Sequence, residues 1–491
     1  MVAVRGGTMS EQKYGLASRI LKGSAMLLFS QGATMVLYFL AQRVILSALT
    51  KEANGVLFGE RRFVDFVVIM LVDFGMNGIT MRRMIMQPDR AQVILSSTVA
   101  YRLMMFVPAS LLSLGYAYAV GYSLVDVALW CFFLLISTRS GLIRYTYEMP
   151  FRSKVRFGWV AFLSILDAVL FLGMVWWWRD HLSPTVVIQA FVLSTIPGLI
   201  FMIAYDRGRT IHPRFMEMGE VKTLLRESMP VILAMVFIHV HDKMDAMFLQ
   251  WFADAKEVGI YGAAYVSLAP LTNTIPLAAS MAIIPVLARL AKENWAECQR
   301  YAVTGFRFLV VIALLSSTML SVLTPYVIEL VSKGVYADNH LHFFLFMWMP
   351  VPIFILVYVQ ELTIALGHQK SNIPIAGVLA AVTVVGGLLA IPTWHALGAV
   401  WVKLASVGLG AVVAVMLFRR ILGTGITLQF VASIVVVLLV GILTSVWLPR
   451  VMMLPLAAAV AGVLTLAAAM LTGLLRTSDV RLIRSILRTR T

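Results

Sequence analysis

The chain has 491 residues, of which 60% are hydrophobic and 13% charged, and its formal net charge is +16. A water-soluble protein carries about 25% charged residues, so composition excludes an ordinary globular enzyme and leaves a polytopic helical membrane protein. The basic excess lies in short loops, which argues against nucleic acid as a partner and for the marking of one membrane face.

In chain order, the polar, basic segment 1–23 precedes a long apolar run with no small-residue cleavage site after it, so it reads as a retained cytoplasmic segment. Runs of spanning length follow at 24–48, 55–80, 92–119, 124–146, 157–178 and 184–205, a first lobe over 24–205. A hydrophilic cytoplasmic linker, 206–227, leads to runs at 228–251, 257–285, 302–331, 342–366, 373–392 and 396–418, a second lobe over 228–418. Two more runs, 427–447 and 452–474 (together 427–474), and a basic cytoplasmic tail, 475–491, complete an all-α polytopic fold of about fourteen spans. With that count, 26 Lys and Arg fall on the side of the N-terminus and five on the other, which predicts both termini in the cytoplasm. In the tail, Arg481, Arg484 and Arg488 sit at helical spacing, as expected of either a helix lying on an anionic leaflet or a frayed basic end. Cys131 and Cys298 are too isolated for a disulfide framework or thiolate metal site, and no Gly-rich phosphate loop occurs, so no cofactor is expected.

Sliding the chain on itself by 204 residues aligns Leu21, Lys22 and Ser24 with Leu225, Arg226 and Ser228, and Gly55 with Gly259. Each of those glycines opens a span after a short outer loop. A shift of six spans preserves orientation, so the lobes form a parallel, pseudo-symmetric six-helix repeat with two helices added at the C-terminus. Duplicated folds of this kind hold substrate between the halves and alternate access by rocking.

Ionisable groups inside spans cost about 2.5–3.5 kcal/mol each on insertion scales, so they mark bundle interiors or watery cavities. Arg62 and Asp65 lie three apart and Arg61 and Asp65 four apart, spacings that allow a pair locking the second span. Arg43 lies near a span end, where it can snorkel. Arg102 and Arg139 lie deeper, Arg102 with no carboxylate in its own span. They are expected either to line a cavity or to pair with Asp73 or Asp167 of neighbouring helices. The seventh span carries "HVHDKMD": His239, His241, Asp242, Lys243 and Asp245 wrap most of the helix near the bilayer midplane, which no lipid-facing helix tolerates. Three readings stand: a structural polar network with Lys243 paired to Asp242 or Asp245, a cavity wall in which Lys243 meets cargo, or a proton-coupling His–Asp pair. One helix seldom converges two His and two Asp on one ion, so no metal is expected.

The stretch 243–290, with Lys243, Asp245, Val258-Gly259-Ile260-Tyr261, Ala263, Ala264, Pro276 and Pro285, resembles the start of the second half in bacterial polysaccharide transporters. These are the Wzx-type lipid-linked oligosaccharide flippases of the MOP exporter superfamily. "EANGVLFG" (52–59) and "DFGMNGITMRRM" (73–84) resemble the first half more loosely. The resemblance implies a flippase, not an enzyme, of the bacterial inner membrane. It implies that undecaprenyl-pyrophosphate-linked repeat units move to the periplasmic leaflet by alternating access, for exopolysaccharide, capsule or O-antigen synthesis. It also implies membrane lipids and a glycan polymerase with chain-length machinery as partners. Such cargo calls for cavity cations, here Arg102, Arg139, Lys243, Arg43 and Arg62. Asp245, Asp242, His241, His239, Asp65 and Asp73 are left for ion coupling or structural pairing. Two alternatives belong to the same superfamily: a multidrug or cation antiporter, and a peptidoglycan-precursor flippase. The first span has Gln31, Gln42 and Arg43 but no carboxylate, which argues against the antiporter.

Overall fold

The computed structural model describes residues 9–154, 156–423 and 427–476. The terminal arginines Arg481, Arg484 and Arg488 lie outside them. Among the described residues every regular element is a helix, and the helices group into fourteen rods, with nine helical stretches long and apolar enough to cross a membrane. In chain order these are α1 (Met9–Ala48), α2 (Lys51–Val68) continued by α3 (Met76–Met86), α4 (Ala91–Val120), α5 (Leu124–Ile136) continued by α6 (Ile143–Ser153), α7 (Gly158–Trp177) and α8 (Pro184–Asp206). Then come α9 (Met218–Phe252), α10 (Ala255–Glu293), α11 (Trp295–Val322) with the short α12 (Thr324–Ser332), and α13 (His340–Phe346) with α14 (Pro350–Ala365). The last are α15 (Asn372–Leu422), which supplies two rods, α16 (Leu428–Trp447) and α17 (Leu454–Leu471).

Rod starts follow local chemistry. Ser123, Ser183, Asp254, Asn294 and Thr427 cap helices by accepting a backbone N–H three residues on, at 2.9–3.3 Å. Gly121 and Gly423 end helices in the left-handed conformation. Two expected continuous spans are broken. The second unwinds at Ile69–Asp73 and turns through left-handed Phe74 and Gly75. The fourth breaks at Ser137–Leu142, where "STRSGL" offers hydroxyls and a glycine in place of helix formers. The expected eleventh and twelfth spans run together as α15, folded sharply at His395 (φ 47°).

The chain divides into two compact units, one holding the described residues up to Leu49 with Val56–Val236, the other Thr50–Gly55 with the described residues from Phe237 onward. In the first, α7 packs on α1 and α8, and α5 on α4 and α8. In the second, α14 packs on α10, α11 and α15, while α16 and α17 pack on α11 and on each other. Phe306, Phe354, Tyr358 and Phe418 are fully buried at its centre. Contacts between helices already in lipid are held by close packing and hydrogen bonds, since hydrocarbon is as apolar as leucine.

The repeat becomes visible in the second unit at the start of α2 and α10. A Cβ on Gly55 would lie 1.6 Å from the Ala255 carbonyl oxygen, and one on Gly259 would lie 1.9 Å from that of Lys51. Residue 255 stands 204 beyond 51, as 259 does beyond 55, so the contact is reciprocal under the sequence shift: a local two-fold. Asn54 Nδ2 donates to Gly259 O at 3.1 Å. Lys51 Nζ is anchored on Asp338 at 2.6 Å and on Asn339 at 2.7 Å.

Candidate charged sites in each unit

In the first unit the helix breaks create polar backbone that side chains must satisfy. Arg102 of α4 does this. Its Nη2 donates to Asp73 Oδ1 (2.8 Å) and Asn77 Oδ1 (2.9 Å), and its Nη1 donates to the Leu142 carbonyl (2.7 Å) and to Thr146 Oγ1. Arg102 and Asp73 are buried. Of the two readings the sequence allowed, the structure pairs Arg102 with Asp73, and it leaves no exposed surface on the arginine. Arg144 is likewise internal. It bonds Asp167 Oδ2 at 2.5 Å and lies against Gly198, whose Cβ, if present, would stand 2.5 Å from the guanidinium. Glu148, beside Arg144 at 3.4 Å, also accepts from Thr138 Oγ1 (2.6 Å) and Arg152 (2.8 Å).

Arg139 is placed differently. It stands in the break of the fourth span, is exposed, and caps the Tyr38 ring with its guanidinium 3.2 Å from the ring centroid. From Tyr38 a run of rings continues through Phe171 (5.5 Å) to Phe191 (3.9 Å, stacked) and Trp130 (5.4 Å). Arg61 lies over both Phe191 and Trp130 at 5.5 Å. Its side chain is 37% exposed, and Asp65 is 3.8 Å away, a loose pair. Arg62, by contrast, is buried over the Phe58 ring at 4.8 Å. Arg43 is half-buried on α1, with no carboxylate within ion-pair distance among the described residues. The result is a largely buried aromatic cluster bearing two guanidinium groups, Arg139 exposed and Arg61 partly so. Spacing alone makes Arg61 a helix-locking partner of Asp65, and Tyr38 carries no sequence signal.

In the second unit the "HVHDKMD" side chains separate into two groups. Asp245, buried, accepts from Lys403 Nζ at 2.9 Å and from the Tyr261 hydroxyl. Lys403, also buried, donates to the His241 carbonyl at 2.7 Å. The His241 ring is held by Ser406 (2.9 Å) and Thr383 (3.1 Å). Asp242 is the partner of Lys243, at 2.9 Å, and accepts from the Tyr265 hydroxyl at 2.8 Å. His239 is half-buried on the same helix. The expectation that Lys243 bonds one of the two aspartates resolves to Asp242, because Asp245 is taken by Lys403, 158 positions away and invisible to local spacing. Among the described residues no group of three or more His, Cys, Asp or Glu converges to hold a metal.

Fourteen rods, a parallel repeat, spans broken around buried charges, and charged clusters inside each unit define a multi-pass helical membrane protein. The polysaccharide biosynthesis protein family matches residues 20–291, more than half of the chain, and the chain belongs to that family. Solved structures share the fold. The lipid II flippase MurJ, inward closed, superposes with a TM-score of 0.68 at 12% identity, covering 91% of this chain and 98% of its own. An inward-facing multidrug resistance MATE family transporter gives 0.59 at 13% identity, covering 79% and 94%. The Vibrio cholerae MATE transporter VcmN in the bent form gives 0.50 at 14% identity, covering 83% and 97%. No curated protein matches in sequence.

Proposed function

We propose that the protein flips undecaprenyl-pyrophosphate-linked oligosaccharide repeat units from the cytoplasmic to the periplasmic leaflet of a bacterial inner membrane, with both termini cytoplasmic. The observation that carries this reading is the aromatic cluster with Arg61 and Arg139. Guanidinium groups donate parallel hydrogen bonds suited to a diphosphate. The first span holds Arg43 and no carboxylate, which favours anionic cargo over a cationic drug. Membership of a polysaccharide biosynthesis family agrees with a glycan on a lipid. An apolar groove of about 550 Å³ in the second unit, walled by Trp348, Ile355, Leu404, Val415, Val431 and Leu438 and containing Arg419, offers a bed for a polyprenyl tail with its phosphate.

Lys243, with its Asp242 partner, is the second contact for cargo in this reading, and the Asp245–Lys403 pair serves structure or ion coupling. Glycan polymerase and chain-length proteins would act on the product. The test is genetic and chemical: deletion should abolish a surface glycan and leave lipid-linked units on the cytoplasmic leaflet. Unchanged glycan in a strain lacking a redundant flippase would reject the reading.

A further inference from the structure

A second concave site lies in the first unit, where α6 and α8 end. It is a cavity of about 430 Å³ whose wall includes Phe151 and Tyr205, with ring centroids 5.3 Å apart, together with Lys154, Arg156, Arg207 and Arg209. That volume is within the range of about 300–1,000 Å³ typical of ligand pockets. Loop cations on this face are expected from the charge bias alone, and cations at helix C-termini complement the last carbonyls. Neither explanation calls for a pocket.

Two further features set this cluster apart. The chain leaves α8 through two successive left-handed residues, Arg207 (φ 50°) and Gly208 (φ 69°), a turn that wraps the loop around the cavity and that a non-glycine residue adopts rarely. The carboxylates nearby are already used. Asp206 accepts the backbone N–H groups of Thr210 (3.1 Å) and Ile211 (3.0 Å), and Glu148 is taken by Arg152. The four cations are exposed and make no ion pair among the described residues. An aromatic wall under a cationic rim, at the level where spans end, matches an anionic group attached to an apolar chain.

We propose that this pocket binds the phosphoryl headgroup of a lipid. Two lipids present that chemistry, an anionic phospholipid of the bilayer and the diphosphate end of a polyprenyl carrier. Only the second source rests on the flippase reading.

Binding is measured on the full-length chain in neutral detergent by native mass spectrometry. Phosphatidylglycerol is titrated against phosphatidylcholine, and undecaprenyl pyrophosphate is added as competitor. The wild type should prefer phosphatidylglycerol about tenfold or more. K154Q/R156Q/R209Q should lose that preference at an unchanged melting temperature. The matched neutralisation of another loop, R289Q/K292Q/R300Q, should keep it. Displacement by undecaprenyl pyrophosphate identifies a carrier site, and no displacement identifies a bilayer-lipid site; both support a phosphoryl-lipid pocket. Undiminished phosphatidylglycerol binding in K154Q/R156Q/R209Q, or equal loss in both triple variants, would overturn it. Because the readout is binding, failure of transport in cells leaves the result interpretable.

Discussion

Two arginines that look alike in the sequence have different fates in the structure. Arg102 is enclosed and donates to Asp73, Asn77, Thr146 and the Leu142 carbonyl, so its removal leaves the buried Asp73 carboxylate without its cation. Breaking a buried pair from one side costs about 3–5 kcal/mol. Arg102→Ala is therefore expected to lower the melting temperature of the purified protein sharply. Arg139 is exposed on Tyr38, and Arg139→Ala should leave melting nearly unchanged while transport falls, most strongly when combined with Arg61→Ala. Glycan export at matched expression separates the two: normal export in R61A/R139A would remove the two guanidinium groups from the mechanism. The same logic applies to Lys403 and Asp245. Lys403→Met leaves Asp245 charged and buried, at about 3–5 kcal/mol, whereas Lys403→Met with Asp245→Asn should recover much of that loss. A double-mutant cycle on thermal stability checks it, and purely additive losses would contradict the pairing.

Within and between helices, glycine positions decide how closely backbones and charges approach. Gly198 leaves room for the Arg144 guanidinium, so Gly198→Ala should displace the arginine from Asp167 and destabilise the first unit. Gly198→Ala combined with Arg144→Leu should not add to the effect of Arg144→Leu alone, as read by melting. The Gly55–Gly259 crossing is stricter. The obstructing atoms are carbonyl oxygens and no side chain can move aside, so either alanine substitution should force the crossing open and sharply reduce folded protein. Full yield of Gly259→Ala in a size-exclusion assay would contradict the close approach.

For the whole molecule, the chain order and the compact units do not coincide. The second unit takes Thr50–Gly55 from within the first unit's stretch of sequence, between Leu49 and Val56. A fragment starting at Phe237 lacks Lys51, which anchors Asp338 and Asn339, and lacks the glycine that meets Gly259. That fragment alone is expected to be poorly stable and to be rescued by co-expression with residues 1–236. Equal yield with and without the partner fragment would show that the six-residue insertion is dispensable.

Much of this architecture was legible in one dimension. Hydrocarbon forces every spanning backbone into a helix, so apolar runs of about 20 residues gave the rods, and loop charge fixed an even count. Insertion cost flags the charged side chains, and the 204-residue shift alone aligns Gly55 with Gly259. The partners of those charges came only with the tertiary structure. Arg102 is paired across three rods, Asp245 meets a lysine 158 positions away, and Arg61 and Arg139 are joined through rings on four separate helices. Helical periodicity specifies which face a residue takes on its own rod, whereas pairing across rods depends on how the rods rotate and where they break. Those breaks, at Phe74–Gly75 and Ser137–Leu142, are themselves stabilised by the arginine that joins them.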